Sequence, residues 1–294
     1  MKIETKEGLT LMIGERDYVS LCINSNRIDD CINYLKNNNL KNISINPFIE
    51  YYADNVDFLS KLLDYVEGIT ILAKKYDYSI INRLHKLKKL GFADNKIDTI
   101  DLTNFPDLES LACEFSPRLI GLDSCKKLKS IVITGYKSKS KDLTNLAEFE
   151  QLTELYLFQT DIVSLKGIER FKNLQKLQIL SATKLESIVD LKYLPNCLVE
   201  IEIEKCKKIN DFESLGHLRS IKRLLLLDCG EIKNLSFVKK LPNLKFLSFG
   251  RTNVLDGDLS YCEGINYVGF DNKRHYSHKF EYFNNKNNNK NNSV

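Results

Sequence analysis

Hydrophobic residues along this chain recur in a spacing that neither a single helix nor an isolated strand would produce. The pattern is apolar at its first, fourth and sixth positions, with the residues between free to be polar. It occurs at Leu87/Leu90/Phe92, Leu108/Leu111/Cys113, Leu128/Ile131/Ile133, Leu152/Leu155/Leu157 and Leu174/Leu177/Ile179. It continues at Leu198/Ile201/Ile203, Ile221/Leu224/Leu226, Leu244/Leu247/Phe249 and Ile265/Val268/Phe270. The first positions are 21, 20, 24, 22, 24, 23, 23 and 21 residues apart, and Val66/Ile69/Ile71 reads as a tenth, degenerate unit. A period this short holds one strand and one return segment. Such a unit can bury its apolar face only against its neighbours.

The remainder of each unit agrees. After Leu152 the apolar residues continue at Ile162, Leu165, Ile168 and Phe171, and after Ile221 at Ile232, Leu235, Val238 and Leu241. One apolar residue in three is what a short helix or 3-10 turn needs when one side faces a core. Leu-Pro-Asn-Leu at 241–244 and Phe-Pro-Asp-Leu at 105–108 mark the turn into the next strand, where proline ends the helix. The third residue after the last apolar strand position should turn inward and serve stacked backbone groups. Its occupants are Asn95, Ser116, Thr160, Cys206, Cys229 and Thr252, which gives both cysteines a structural role.

These units resemble the leucine-rich-repeat family, in particular its 22-residue class, which includes a protein phosphatase regulatory subunit and the repeat part of bacterial internalins. The resemblance covers roughly residues 66–272. It implies an α/β fold: a curved solenoid with a parallel concave β-sheet, a helical or 3-10 convex side and an α+β N-terminal cap. It implies protein binding and says little about chemistry, because the family binds proteins of many kinds.

Caps are expected at both ends, since a bare repeat exposes its core. Residues 1–65 read as the N-terminal cap, with strands at 8–13, 18–24 and 40–45 and a helix at 27–37. A second helix is expected over about 55–64 with Val56, Leu59 and Leu63 inward. Residues 273–283 read as a C-terminal cap, and 284–294 as a disordered Asn/Lys-rich tail.

Composition narrows the picture only modestly. The chain has 294 residues, 43% hydrophobic and 28% charged, enough apolar content to build a core. Its net charge of +4 is small for a dedicated nucleic-acid binder. The opening MKIETKEGLTLMIGERDYVS has no continuous apolar run, so neither an export signal nor a membrane contact is expected. The eight cysteines form no CxxC, which fits free thiols in a reducing compartment and a cytoplasmic location. No phosphate loop, nucleophile elbow or HExxH occurs, so no enzymatic activity and no cofactor are expected. His275 and His278 have ligand-like spacing but no third donor beside them, so no metal is expected. Lys126, Lys127, Lys129, Lys137, Lys139 and Lys141 form the one basic concentration, read as a solvated stretch.

The outward strand positions carry the functional expectation. Reading them along the repeats gives an exposed set of Tyr156, Phe158, Leu180, Leu225, Leu227, Phe246 and Tyr267. Acids join them at Glu154, Glu200, Glu202, Glu204, Asp228 and Asp271. An apolar and aromatic patch with a charged surround is the composition of a protein-binding hot spot, and a partner with a basic surface would complement it. Similarity to bacterial intracellular leucine-rich-repeat proteins suggests an immunity protein that neutralises a cognate toxin. The alternative is a secreted internalin-like effector or adhesin binding a host protein.

Overall fold

The computed structural model describes residues 2–14, 18–72, 77–92, 99–194 and 196–283. Asn95 and the tail 284–294 lie outside the described residues. The chain divides into two compact units, Met1–Ile131 and Val132–Val294.

The first unit begins with strands β1 (Lys2–Lys6), β2 (Leu9–Ile13) and β3 (Val19–Cys22), joined antiparallel. The β1–β2 turn is made by Glu7 at φ 54° and Gly8 at φ 71°, the paired left-handed residues of a tight hairpin. Helix α1 (Ile28–Asn37) then crosses over and the chain returns as β4 (Asn42–Ile45), parallel to β3. From there β5 (Gly68–Ile71), β6 (Lys89–Phe92) and β7 (Ser110–Glu114) add in parallel, each in register with the strand before it. In α1 the inward residues Cys31, Ile32, Tyr34 and Leu35 are buried, and Asp29 and Asp30 sit in the first turn, where the helix dipole favours acids.

The expected second helix is a 3-10 helix, Asp57–Leu62. Its inward residues are Val56, Phe58, Leu59 and Leu62, and Leu63 is only half-buried. The difference follows from the period. Three residues per turn bring Leu62 beneath Leu59, where 3.6 would have brought Leu63. Strand β1 was not anticipated, because its alternation in KIETK is carried by one exposed isoleucine between charged residues.

In the second unit β9 (Glu154–Phe158), β10 (Lys176–Leu180), β11 (Glu200–Glu204) and β12 (Arg223–Leu227) stand in parallel register, followed by β13 (Phe246–Ser248) and β14 (Tyr267–Gly269). Strand β8 (Ser130–Thr134) lies at the division between the units. Inward strand residues such as Leu155, Leu157, Leu177 and Ile201 are fully buried. Each contributes roughly 1.5–3 kcal/mol of apolar burial. The returns are 3-10 turns, among them Ile168–Arg170, Phe212–His217 and Ser236–Lys240. Ile162, Leu165, Ile168 and Phe171 all face the core, as their spacing requires.

The chain leaves β8 to β13 through a left-handed residue each time: Gly135, Gln159, Ser181, Lys205, Asp228 and Arg251, with φ between 51° and 73°. That turn swings the next residue into the core. Thr160, Cys206, Cys229 and Thr252 are accordingly buried, with Ala182 and Tyr136 at the same position of their own repeats. The C-terminal end is closed by aromatic packing. Phe270 stacks on Phe249 at 5.1 Å between centroids and meets Tyr276 and Phe283 edge-on at 5.8 and 6.1 Å.

Candidate functional site

Alternation places three outward positions of each of β9 to β12, and two of each of β13 and β14, on one face of the second unit. In-register pairing then lines them up in rows across the strands. The first row runs Glu154, Lys176, Glu200, Arg223, Phe246, Tyr267. Its charges alternate. The Lys176 ammonium lies 3.3 Å from Glu200, whose carboxylate also sits 3.6 Å from the Arg223 guanidinium. Arg223 in turn lies 3.8 Å above the Phe246 ring, which stacks on Tyr267 at 4.5 Å and 15°. A row of ion pairs is thus continued through a cation–π contact into an aromatic pair.

The second row is Tyr156, Gln178, Glu202, Leu225, Ser248, Gly269. The Tyr156 hydroxyl donates to Glu154 at 3.2 Å. Glu202 is half-buried, and its carboxylate makes no ion pair or hydrogen bond among the described residues. In the third row Phe158 pairs with Leu180, and Glu204 separates them from Leu227. Glu204 is held by Lys205 at 3.4 Å and Arg251 at 3.6 Å, and Asp228 by Lys207 at 3.0 Å. Asp271 accepts the Arg251 amide at 2.6 Å.

The expected residues therefore share one face, but in a different arrangement from the one expected. The apolar side chains do not form one patch: Phe158 pairs with Leu180 in the third row, Leu227 stands beyond Glu204 in that same row, and Phe246 stacks on Tyr267 in the first row. The acids Glu200, Glu202 and Glu204 run between them along β11 instead of surrounding them. Leu225 is only 8% exposed, flanked in register by Glu202 and Ser248, so it offers a partner almost no surface. Lys176 and Arg223, absent from the expected site, are what neutralises Glu200. Reading the first outward position across successive repeats, E-K-E-R-F-Y, would have found them.

Other sequence candidates resolve locally. Lys127 pairs with Asp107 at 2.5 Å, Lys129 with Glu109 at 3.0 Å and Lys141 with Asp161, so half of the basic concentration is already compensated. His275 Nε2 lies 2.9 Å from the Val254 carbonyl, and His278 Nδ1 lies 2.9 Å from the Ser277 hydroxyl. Among the described residues no group of three or more His, Cys, Asp or Glu is gathered in a metal-holding arrangement, and no helix is long and apolar enough to cross a membrane. All eight cysteines are free thiols and seven are buried. Burial pushes Cys206 up to about 11 and Cys229 up to about 12.

No family model matches the chain. It is 35% identical over 178 residues to an acidic leucine-rich nuclear phosphoprotein 32-related protein of Plasmodium falciparum, covering 58% of this chain and 57% of that one. It is 25% identical over 238 residues to disease resistance protein RPS4B of Arabidopsis thaliana, covering 71% of this chain and 20% of that one. The chain thus spans about half the length of the first relative and a fifth of the second. Among solved structures, an internalin of Listeria monocytogenes superposes with a TM-score of 0.50 at 20% identity, over 74% of this chain and 69% of that one. At that identity the likeness is one of fold.

Proposed function

We propose that this chain, which has the fold of a leucine-rich-repeat solenoid, is a non-enzymatic protein-binding scaffold whose docking face is the outward side of β9 to β14. The observation that carries this reading is the acidic strand β11, with apolar outward residues on the strands to either side of it. Glu200 and Glu204 are paired within the chain, while the Glu202 carboxylate has no partner among the described residues. A half-buried carboxylate without a partner gains most from an incoming cation. The partner is therefore a protein presenting a lysine or arginine between apolar side chains, which would cover Phe158 and Leu180 on one side of β11 and, on the other, Leu227 and the separate Phe246–Tyr267 stack.

The finer reading is a cytoplasmic immunity protein that covers the basic surface of a cognate toxin. Charge supports it: the face is acidic in a chain of net charge +4. Co-expression with the product of a neighbouring gene should restore growth if that product is the toxin, and unrelieved growth arrest would remove this reading.

Affinity purification with the intact chain tests the docking face. Phe158→Ala/Leu227→Asp should lose the captured partner, and Glu202→Lys should weaken capture by about tenfold or more, the loss of one close charge pair. Partner retained equally by the wild type and by both folded variants would refute the assignment of this face.

A further inference from the structure

The first unit holds a cavity that the docking face does not use. It opens on the outward side of β2 to β5, has a volume of about 290 Å³ and is lined mainly by Met12, Tyr18, Ser20, Ser44, Thr70 and Leu72. The hollow exists because the outward residues of adjacent strands are small. Met12 stands opposite Ser20, and Ser44 stands beside Thr70, which is followed across the sheet by Gly91. One wall is fixed. The Tyr18 phenol shares a hydrogen bond with Thr70, and the Lys89 ammonium lies 3.9 Å from the centre of the Tyr18 ring.

Two hydroxyls in this lining are idle. Ser44 is 1% exposed and its Oγ has no hydrogen-bond partner among the described residues. Ser20, 4% exposed, likewise makes no side-chain hydrogen bond among the described residues. Buried hydroxyls are nearly always satisfied, so an orphan in a cavity wall points to a group that enters the cavity. Serine has three staggered χ1 wells, and rotation among them turns Oγ toward the cavity without moving the backbone.

Among the described residues the lining carries no charged side chain, which selects against an ionic ligand. The volume is nearly twice the roughly 150 Å³ of an apolar cavity that accepts benzene, so a two-ring system fits. We propose that this cavity binds a flat, uncharged, bicyclic aromatic molecule carrying one ring N–H, with that N–H donating to Ser44 Oγ.

Indole is the probe. The chain contains no tryptophan, so indole fluorescence can be followed directly as the full-length protein is titrated in. A saturable blue shift is expected, with a dissociation constant of about 1 mM or tighter, ordinary for so small a ligand. Ser44→Ala should weaken indole roughly three- to tenfold, the loss of one hydrogen bond. 1-Methylindole, which keeps the shape and lacks the N–H, should bind the wild type as weakly as indole binds Ser44→Ala and should not respond to that substitution. Ser20→Leu fills the cavity and should abolish the shift. No saturable shift, or a shift unaffected by folded Ser20→Leu, would overturn the site; equal binding of indole and 1-methylindole would overturn the role of Ser44. Should Ser20→Leu fail to fold, the comparison of the two probes on the wild-type chain decides.

Discussion

Thr252 Oγ1 accepts a hydrogen bond from the buried amide of Cys229 at 2.9 Å and donates one to the Leu226 carbonyl at 2.7 Å. Cys229 repeats half of that relationship one repeat earlier, with its thiol 3.2 Å from the Ile203 carbonyl. Thr160 occupies the same position two repeats before Cys206, yet its Oγ1 has no partner among the described residues. The two threonines should therefore answer the same substitution differently. Thr252→Val orphans a buried amide and a carbonyl and should cost about 2 kcal/mol, whereas Thr160→Val removes an unsatisfied hydroxyl and should be neutral or stabilising. Denaturant unfolding of the two variants measures the difference, and equal losses would refute it.

Gln159 carries φ 52° as it leaves β9, and its side chain is exposed. A non-glycine residue in the left-handed region costs roughly 1 kcal/mol. Gln159→Gly relieves that strain, offset in part by the freedom glycine gains in the unfolded chain, and should raise stability by up to about 1 kcal/mol. A lower melting temperature would show that the turn is not strained there.

Burial pushes the thiols of Cys113, Cys229 and Cys262 up to about 12 from an ordinary 9.0. The folded chain therefore holds them neutral where the unfolded chain ionises them. Above pH 9 the unfolded state binds fewer protons than the folded one, so their contribution to stability is complete below pH 9 and is lost as pH rises toward 12. Thiolate ultraviolet absorbance should stay low in the folded chain through the lower part of that window and appear in full when denaturant is added. Matching absorbance in the two states would contradict the burial.

The repeat was readable because its apolar positions have to face one core, so spacing alone located β5 to β14. The 3-10 helix at 57–62 was misread over one residue, since Phe58, Leu59, Leu62 and Leu63 satisfy either period until packing selects one. The outward residues were located correctly on their strands, but their state depends on lateral neighbours more than twenty residues away. Leu225 looks exposed in its own strand and is only 8% exposed, with Glu202 and Ser248 beside it in register. The cavity beneath Tyr18 left no mark in the repeat pattern, because it arises from small residues on four separate strands.

The alternating row Glu154, Lys176, Glu200, Arg223 gives the repeats a fixed order. Excising the repeat that carries Lys176 would set Glu154 against Glu200, and excising the one that carries Glu200 would set Lys176 against Arg223; like charges directly opposite are destabilising. Removing both together would restore an opposite pair, Glu154 against Arg223. Shortened chains should therefore tolerate the double excision better than either single one, with melting temperature as the readout, so that along this stretch the array can lose repeats in pairs more readily than one at a time.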